Sequence, residues 1–129
     1  MVTANKALLA RHGVALARLA EANKTTLSFE AAVAGGIPII KTLREGLGGS
    51  RINRIYGILN GTCNYILTRM EQDRLDFPTA LRLAQEKGFA EADPSDDIDG
   101  LDTASKVRIL LGLIANSYQR ADDFPVEGI

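Results

Sequence analysis

Residues 51–70 read R-I-N-R-I-Y-G-I-L-N-G-T-C-N-Y-I-L-T-R-M, and the architecture turns on what Asn60-Gly61 does in the middle. Asn-Gly between two apolar runs is a strong signal for a two-residue hairpin. Before it, Arg51 to Leu59 reads as a strand carrying Ile52, Ile55, Tyr56, Ile58 and Leu59. After it, Tyr65, Ile66, Thr68, Arg69 and Met70 lack strand alternation and read as a helix. The better parse is therefore strand, Asn-Gly-Thr turn, helix, with Thr62 as the N-cap candidate. Free amide groups at such a helix start attract anions, a substrate carboxylate among them.

Upstream, Thr3 to Lys6 is expected to turn into a helix running to about Ala22. Thr3 or Asn5 would cap it, and Leu8, Leu9, Leu16 and Leu19 would supply its apolar side. Asn23-Lys24 breaks that helix, and Thr25 to Phe29 is a short β-prone run. The β–α–β order fits the edge of an α/β nucleotide-binding domain. Lys6 would then stand at a strand-to-helix turn, on the edge where open α/β sheets hold ligands. The run E-A-A-V-A-G-G-I-P over 30–38 has small residues for close backbone approach, and Gly35-Gly36 can take positive φ. It reads as a tight crossing between two domains, with Pro38 suited to the first turn of a helix over Ile39 to Gly46.

Downstream, Asp76-Phe77-Pro78 opens another helix, with Leu81, Leu83 and Ala84 inside and Gly88 ending it. Then comes K-G-F-A-E-A-D-P-S-D-D-I-D-G-L-D-T-A-S-K, residues 87–106, with Glu91, Asp93, Asp96, Asp97, Asp99 and Asp102. Carboxylates this close repel one another and are costly to bury. A solvated acidic loop ahead of a helix is the plain reading. Phe89, Pro94, Ile98 and Leu101 interleave the acids, however, which suits a loop folded against something. Asp102 and Lys106 are spaced i,i+4 and share a helix face, with Cβ atoms roughly 5–6 Å apart. Such a junction suits a small zwitterion with a reacting oxygen. A calcium loop does not fit: with Gly100 at the sixth position, Ser95 falls at the first and Lys106 at the twelfth, where a glutamate is required. Val107, Leu110, Leu111 and Ile114 follow at core spacing.

The chain has 129 residues, 46% hydrophobic and 24% charged, with a formal net charge of −1. That is enough for one ordinary core, and it offers no basic track for nucleic acid. No apolar run reaches the 18 or so residues a membrane span needs. One cysteine, Cys63, and one histidine cannot build a His/Cys zinc site, and a reducing, cytoplasmic setting is expected. Met1 to Lys6 reads like the end of a buried strand with no lead-in to pair it, so a fragment of a longer protein is expected.

The blocks V-T-A-N-K-A-L-L-A, F-E-A-A-V-A-G-G-I-P-I-I-K-T-L-R-E-G-L, G-I-L-N-G-T-C-N-Y-I-L-T-R-M and G-F-A-E-A-D-P-S-D-D-I-D-G-L-D-T-A-S-K strongly resemble homoserine dehydrogenase. They cover nearly the whole chain in the family's order; the likeness weakens after about Asn116, although the closing F-P-V-E-G-I still fits. The resemblance implies an α/β fold with an α+β catalytic portion. Residues 1–36 would be the tail of a Rossmann-like NAD(P)-binding domain. Residues 37–129 would be part of a mixed helix/sheet substrate and dimerisation domain. It implies reversible, NADP- or NAD-dependent interconversion of L-homoserine and L-aspartate 4-semialdehyde, in the biosynthesis of threonine, methionine and isoleucine. By the same resemblance Lys106 is the acid/base lysine, with Lys6 between cofactor and substrate. Glu91 and Asp102 bind the amino acid, joined by Asp97 and Thr62. Gly88 lies against the cofactor. Glu30, Val33, Gly35 and Ile37 hold a sodium ion, and the enzyme is a homo-oligomer, dimer or tetramer. Phe89 stands where relatives carry tyrosine. No G-x-G-x-x-G occurs in the chain, and that motif binds the cofactor pyrophosphate. The chain alone is therefore expected to be inactive. The competing reading is a non-catalytic dimerisation or interaction module derived from the same family.

Overall fold

A computed structural model describes residues 1–114 and 124–129. The described elements are helical: α1 (Lys6–Ala22), α2 (Ala31–Ala34), α3 (Ile39–Lys41) running on into a π-helical turn (Thr42–Gly46), α4 (Gly61–Asp73), α5 (Phe77–Glu86), α6 (Ser95–Ile98) and α7 (Leu101–Ile114). They fall into two compact units, one of Met1–Ile55 with Ser105–Pro125 and the other of Tyr56–Ala104 with Val126–Ile129.

In the first unit, Asn5 rather than Thr3 caps α1, its side chain accepting from the Leu8 amide at 3.0 Å. Thr3 supports it by accepting from the Asn5 amide through its hydroxyl at 3.1 Å. The helix ends with the amides of Lys24 and Thr25 donating to Glu21 and Ala20 (3.0 and 2.9 Å), while Lys24 takes a left-handed φ of 50°. This is the paired closure that usually recruits glycine. The chain then returns beside its start. Val2 and Ser28 form one isolated parallel bridge, held by Thr3 N–H to Ser28 and Ser28 N–H to Met1, both at 2.9 Å. Of the expected β–α–β order the described residues show only this single bridge flanking α1, and Val2, expected at the end of a buried strand, is exposed. Leu9 is buried on α1, whereas Leu19, expected on its apolar side, is exposed.

Glu30 organises the next turn. Its two carboxylate oxygens accept from the amides of Ile40 (2.8 Å) and Lys41 (2.9 Å), satisfying donors that the start of α3 leaves open. Pro38 stands just before α3, one residue earlier than a first-turn position. The expected strand over Arg51–Leu59 is not formed, because no described strand lies alongside to complete a ladder. Ile55, Tyr56 and Ile58 are exposed along it.

The second unit is built on a helix pair. Arg74, Leu75 and Asp76 connect α4 to α5, with Arg74 left-handed at φ 54°. Ala80 and Ala84 lie one turn apart on α5 and are fully buried with Ile66 of α4, so small side chains let the two helices approach closely. Burying an isoleucine of this kind contributes roughly 1.5–3 kcal/mol. Tyr65, Met70, Leu75, Phe77 and Leu81 pack around them. Asp76 caps α5 by accepting from the Thr79 amide at 3.0 Å. At the far end Gly88 N–H donates to Gln85 (3.0 Å) and Phe89 N–H to Ala84 (2.8 Å), with Gly88 at φ 74°. That closure turns the chain sharply toward the acidic stretch.

Candidate functional site

The site grows from the start of α4. Asn60, not Thr62, is the N-cap: its side-chain oxygen accepts from the Cys63 amide at 2.8 Å. Thr62 sits within the first helical turn, where its hydroxyl is turned away from the helix end. It donates to the Phe89 carbonyl at 2.6 Å, tying α4 to the residue that follows Gly88. Phe89 also packs its ring on Tyr65, with centroids 4.9 Å apart.

Capping uses only the oxygen of the Asn60 amide. Its nitrogen donates to Asp97 at 2.6 Å and to Asp102 at 3.0 Å. One neutral side chain therefore joins α4, α6 and α7 through two carboxylates. Asn60 and Asp102 are both buried, Asp102 with 6% of its surface exposed. A carboxylate buried to that degree needs hydrogen bonds or a counter-charge to remain ionised. Its place in the first turn of α7 also puts it near the positive end of the helix dipole. Gly100, at φ 77°, makes the bend between α6 and α7, and a side chain there would press on Glu127 and Val126. The C-terminal residues thus hold the acidic segment in place, and the Ile129 amide donates to Ile98 at 3.0 Å.

Cys63 reports on this charge. Its thiol lies 3.2 Å from the Asp97 carbonyl, and its pKa is raised first by burial and then by the negative charges of Asp97 and Asp102. The thiolate is the reactive form, so alkylation by iodoacetamide at neutral pH should be slower than for an exposed cysteine peptide. Asp97→Asn should speed it. An alkylation rate equal to that of the free peptide would contradict this environment.

The acids of residues 91–102 have separate tasks. Asp93 accepts from both the hydroxyl and the amide of Ser95, in that order of influence, which holds its carboxyl below the usual range. It is a turn residue for α6. Glu91 is exposed, and its backbone carbonyl, rather than its carboxylate, is what Gln85 holds at 3.1 Å. Thr62, Asp97 and Asp102 are thus brought together around Asn60, with Gly88 adjacent through Phe89; Glu91 is not joined to them by a hydrogen bond. Lys106 stands one turn beyond Asp102 on α7, half-buried. Lys6 is the first residue of α1 in the other unit.

Asn60 is the residue the sequence reading missed. Its pairing with Gly61 drew attention to turn geometry, and Thr62 is an equally good cap by type. The usable signal was an Asn at a helix start with two donors to spare, ahead of a stretch rich in carboxylates. For sodium, the Glu30 segment offers the oxygen donors a hard cation takes. Both Glu30 oxygens already accept amides, each with lone-pair capacity remaining. Among the described residues no group of three His, Cys, Asp or Glu side chains is placed to hold a metal ion. No described helix is long and apolar enough to cross a membrane.

The comparisons with known proteins agree with one another. The homoserine dehydrogenase family model matches residues 38–129. A homoserine dehydrogenase from Synechocystis sp. is 51% identical over all 129 residues, which make up 30% of that protein. The crystal structure of a homoserine dehydrogenase from Thiobacillus denitrificans superposes with a TM-score of 0.94 at 47% identity, over 99% of this chain and 30% of that one. A hyperthermophilic archaeal homoserine dehydrogenase in complex with NADPH gives a TM-score of 0.84 at 34% identity, covering 95% of this chain and 42% of that one. The chain spans about 30% of the length of the curated relatives it matches, and its structural neighbours are α/β enzymes. With its fold and its sequence both matching homoserine dehydrogenases, the chain belongs to the homoserine dehydrogenase family.

Proposed function

We propose that these 129 residues form the substrate side of an NAD(P)-dependent homoserine dehydrogenase, interconverting L-homoserine and L-aspartate 4-semialdehyde. The observation that carries this reading is the pair of carboxylates, Asp97 and Asp102, held on one amide at the foot of α7 in a member of that family. A zwitterionic amino acid brings an α-ammonium that such carboxylates would bind by charge-assisted hydrogen bonds. Asp102 is the principal acid, with Asp97 beside it and Glu91 closing from the exposed edge.

The nicotinamide, when bound, supplies or accepts the hydride at the carbon that is aldehyde in one direction and alcohol in the other. Reduction leaves an alkoxide on that carbon's oxygen, and Lys106 delivers the proton to it from its ammonium; in the reverse direction the neutral amine removes that proton. Lys6 places a second positive charge between cofactor and substrate. Gly88, left-handed and without a side chain, lets the backbone lie close to the cofactor. The relative in complex with NADPH favours NADP among the two cofactors.

Residues 1–36 belong, in this reading, to the tail of the nucleotide-binding domain and residues 37–129 to the catalytic and dimerisation domain. Glu30, with the backbone of Val33, Gly35 and Ile37, would hold a sodium ion. The extended segment through Tyr56 and Ile58, 90% and 76% exposed, supports a homo-oligomer in which a second subunit covers it. The setting is the cytoplasm, in amino-acid biosynthesis.

A dehydrogenase assay tests the reading. A complete enzyme carrying this sequence should reduce NADP or NAD only when L-homoserine is added. The 129-residue polypeptide alone, lacking G-x-G-x-x-G, should not. Homoserine-dependent reduction by the short chain would refute the division of labour, and its absence in the complete enzyme would refute the activity.

A further inference from the structure

Asn60 is placed to do more than begin a helix. Its oxygen satisfies the Cys63 amide, while its nitrogen spends one hydrogen on Asp97 and the other on Asp102. The three contacts run from 2.6 to 3.0 Å, and the side chain is buried. The amide donor stands between two carboxylates that would otherwise repel each other. An uncharged amide is well suited to that place. It supplies partial positive charge to both carboxylates without adding a full charge of its own. A lysine or arginine in the same position would compete with a cationic ligand directly.

We infer that Asn60 is a positioning residue for amino-acid binding, fixing Asp97 and Asp102 in the arrangement that receives the substrate ammonium. The inference rests on the reading of this turn as the homoserine site. An ionised carboxylate has about four acceptor sites, and Asn60 takes one on each acid. The rigid link also explains how three elements separated in sequence, α4, α6 and α7, converge on one ligand group. Because Asn60 acts through the two acids it holds, its loss should weaken ground state and transition state alike. KM for homoserine should rise while kcat holds.

Two variants of a complete dehydrogenase carrying this sequence test the role. Asn60→Ser keeps an oxygen for the Cys63 amide but is too short to reach both carboxylates. Asn60→Asp keeps the size and the cap but places a third negative charge where the donor was. KM for homoserine should rise about tenfold or more in Asn60→Ser and further in Asn60→Asp. In both, kcat should stay within about threefold and KM for the dinucleotide should not change. A purely structural cap would lower thermal stability in step with cap strength and leave the homoserine KM unmoved. If Asn60→Asp does not fold, Asn60→Ser decides alone. An unchanged homoserine KM in folded Asn60→Ser overturns the inference, as does failure of both cap-preserving variants to fold. Failure of the unsubstituted enzyme to oxidise homoserine would instead remove the reading of the site.

Discussion

Lys106→Ala, made in a complete dehydrogenase carrying this sequence, is expected to lower kcat by about 10²–10⁴-fold while the homoserine KM shifts by less than about threefold. The asymmetry follows from when the lysine is needed. Bound homoserine has a neutral hydroxyl, which many donors could serve. Only as hydride leaves or arrives does the oxygen acquire alkoxide character, and only then is a positioned proton acceptor or donor indispensable. Lys106 follows Asp102 by one helical turn on α7, the spacing that the proposed division between ammonium binding and proton transfer uses. A loop could not hold two such points as firmly. Steady-state kinetics of homoserine oxidation check the prediction, and an unchanged kcat would remove Lys106 from acid/base work.

Asp102→Ala should fail in the complementary way. The homoserine KM should rise by about 10²-fold, with a much smaller change in kcat. The side chain removed is a buried carboxylate, and a charge-assisted bond to an ammonium contributes roughly 1.5–3 kcal/mol. The substitution also leaves one Asn60 hydrogen without its acceptor, so part of the loss belongs to the free enzyme. Comparing Asp97→Ala separates the two acids. Asp97 is joined to the same amide but is less deeply buried, and its replacement should have the smaller effect. Equal effects at the two positions would mean that burial does not set their ranking. A kcat loss in Asp102→Ala as large as that for Lys106→Ala would contradict the division between binding and chemistry.

Much of the local structure was legible in the sequence because short-range rules govern it. α1 spans Lys6–Ala22 between its Asn5 cap and the Asn23-Lys24 break, and α5 is bracketed by Asp76 and Gly88 as its cap and stop residues require. The rejection of a hairpin at Asn60-Gly61 also agrees with the structure, since α4 starts there. What was not legible depends on partners distant in sequence. A strand over Arg51–Leu59 satisfies every local criterion but needs a neighbour, and among the described residues none lies beside it. The carboxylates of residues 91–102 look alike as text. Folding separates four of them into a turn residue (Asp93), an exposed residue (Glu91) and two acids bound to Asn60. Asn60 lies 37 residues from Asp97 and 42 from Asp102, a link that no periodicity reveals. The roles proposed for Lys6 and Lys106 rest on family resemblance, because a lysine at a helix start or within a helix is by type an ordinary residue.

The central claim is that the Asn60–Asp97–Asp102 cluster seats the ammonium of the amino acid. A structure of a complete enzyme carrying this sequence, with L-homoserine bound, tests it most directly. The α-ammonium nitrogen is expected within about 3 Å of an Asp102 carboxylate oxygen, with the Asn60 amide still bonded to both acids. Homoserine bound with its ammonium turned away from these carboxylates, or with the Asn60 bonds broken on binding, would contradict it.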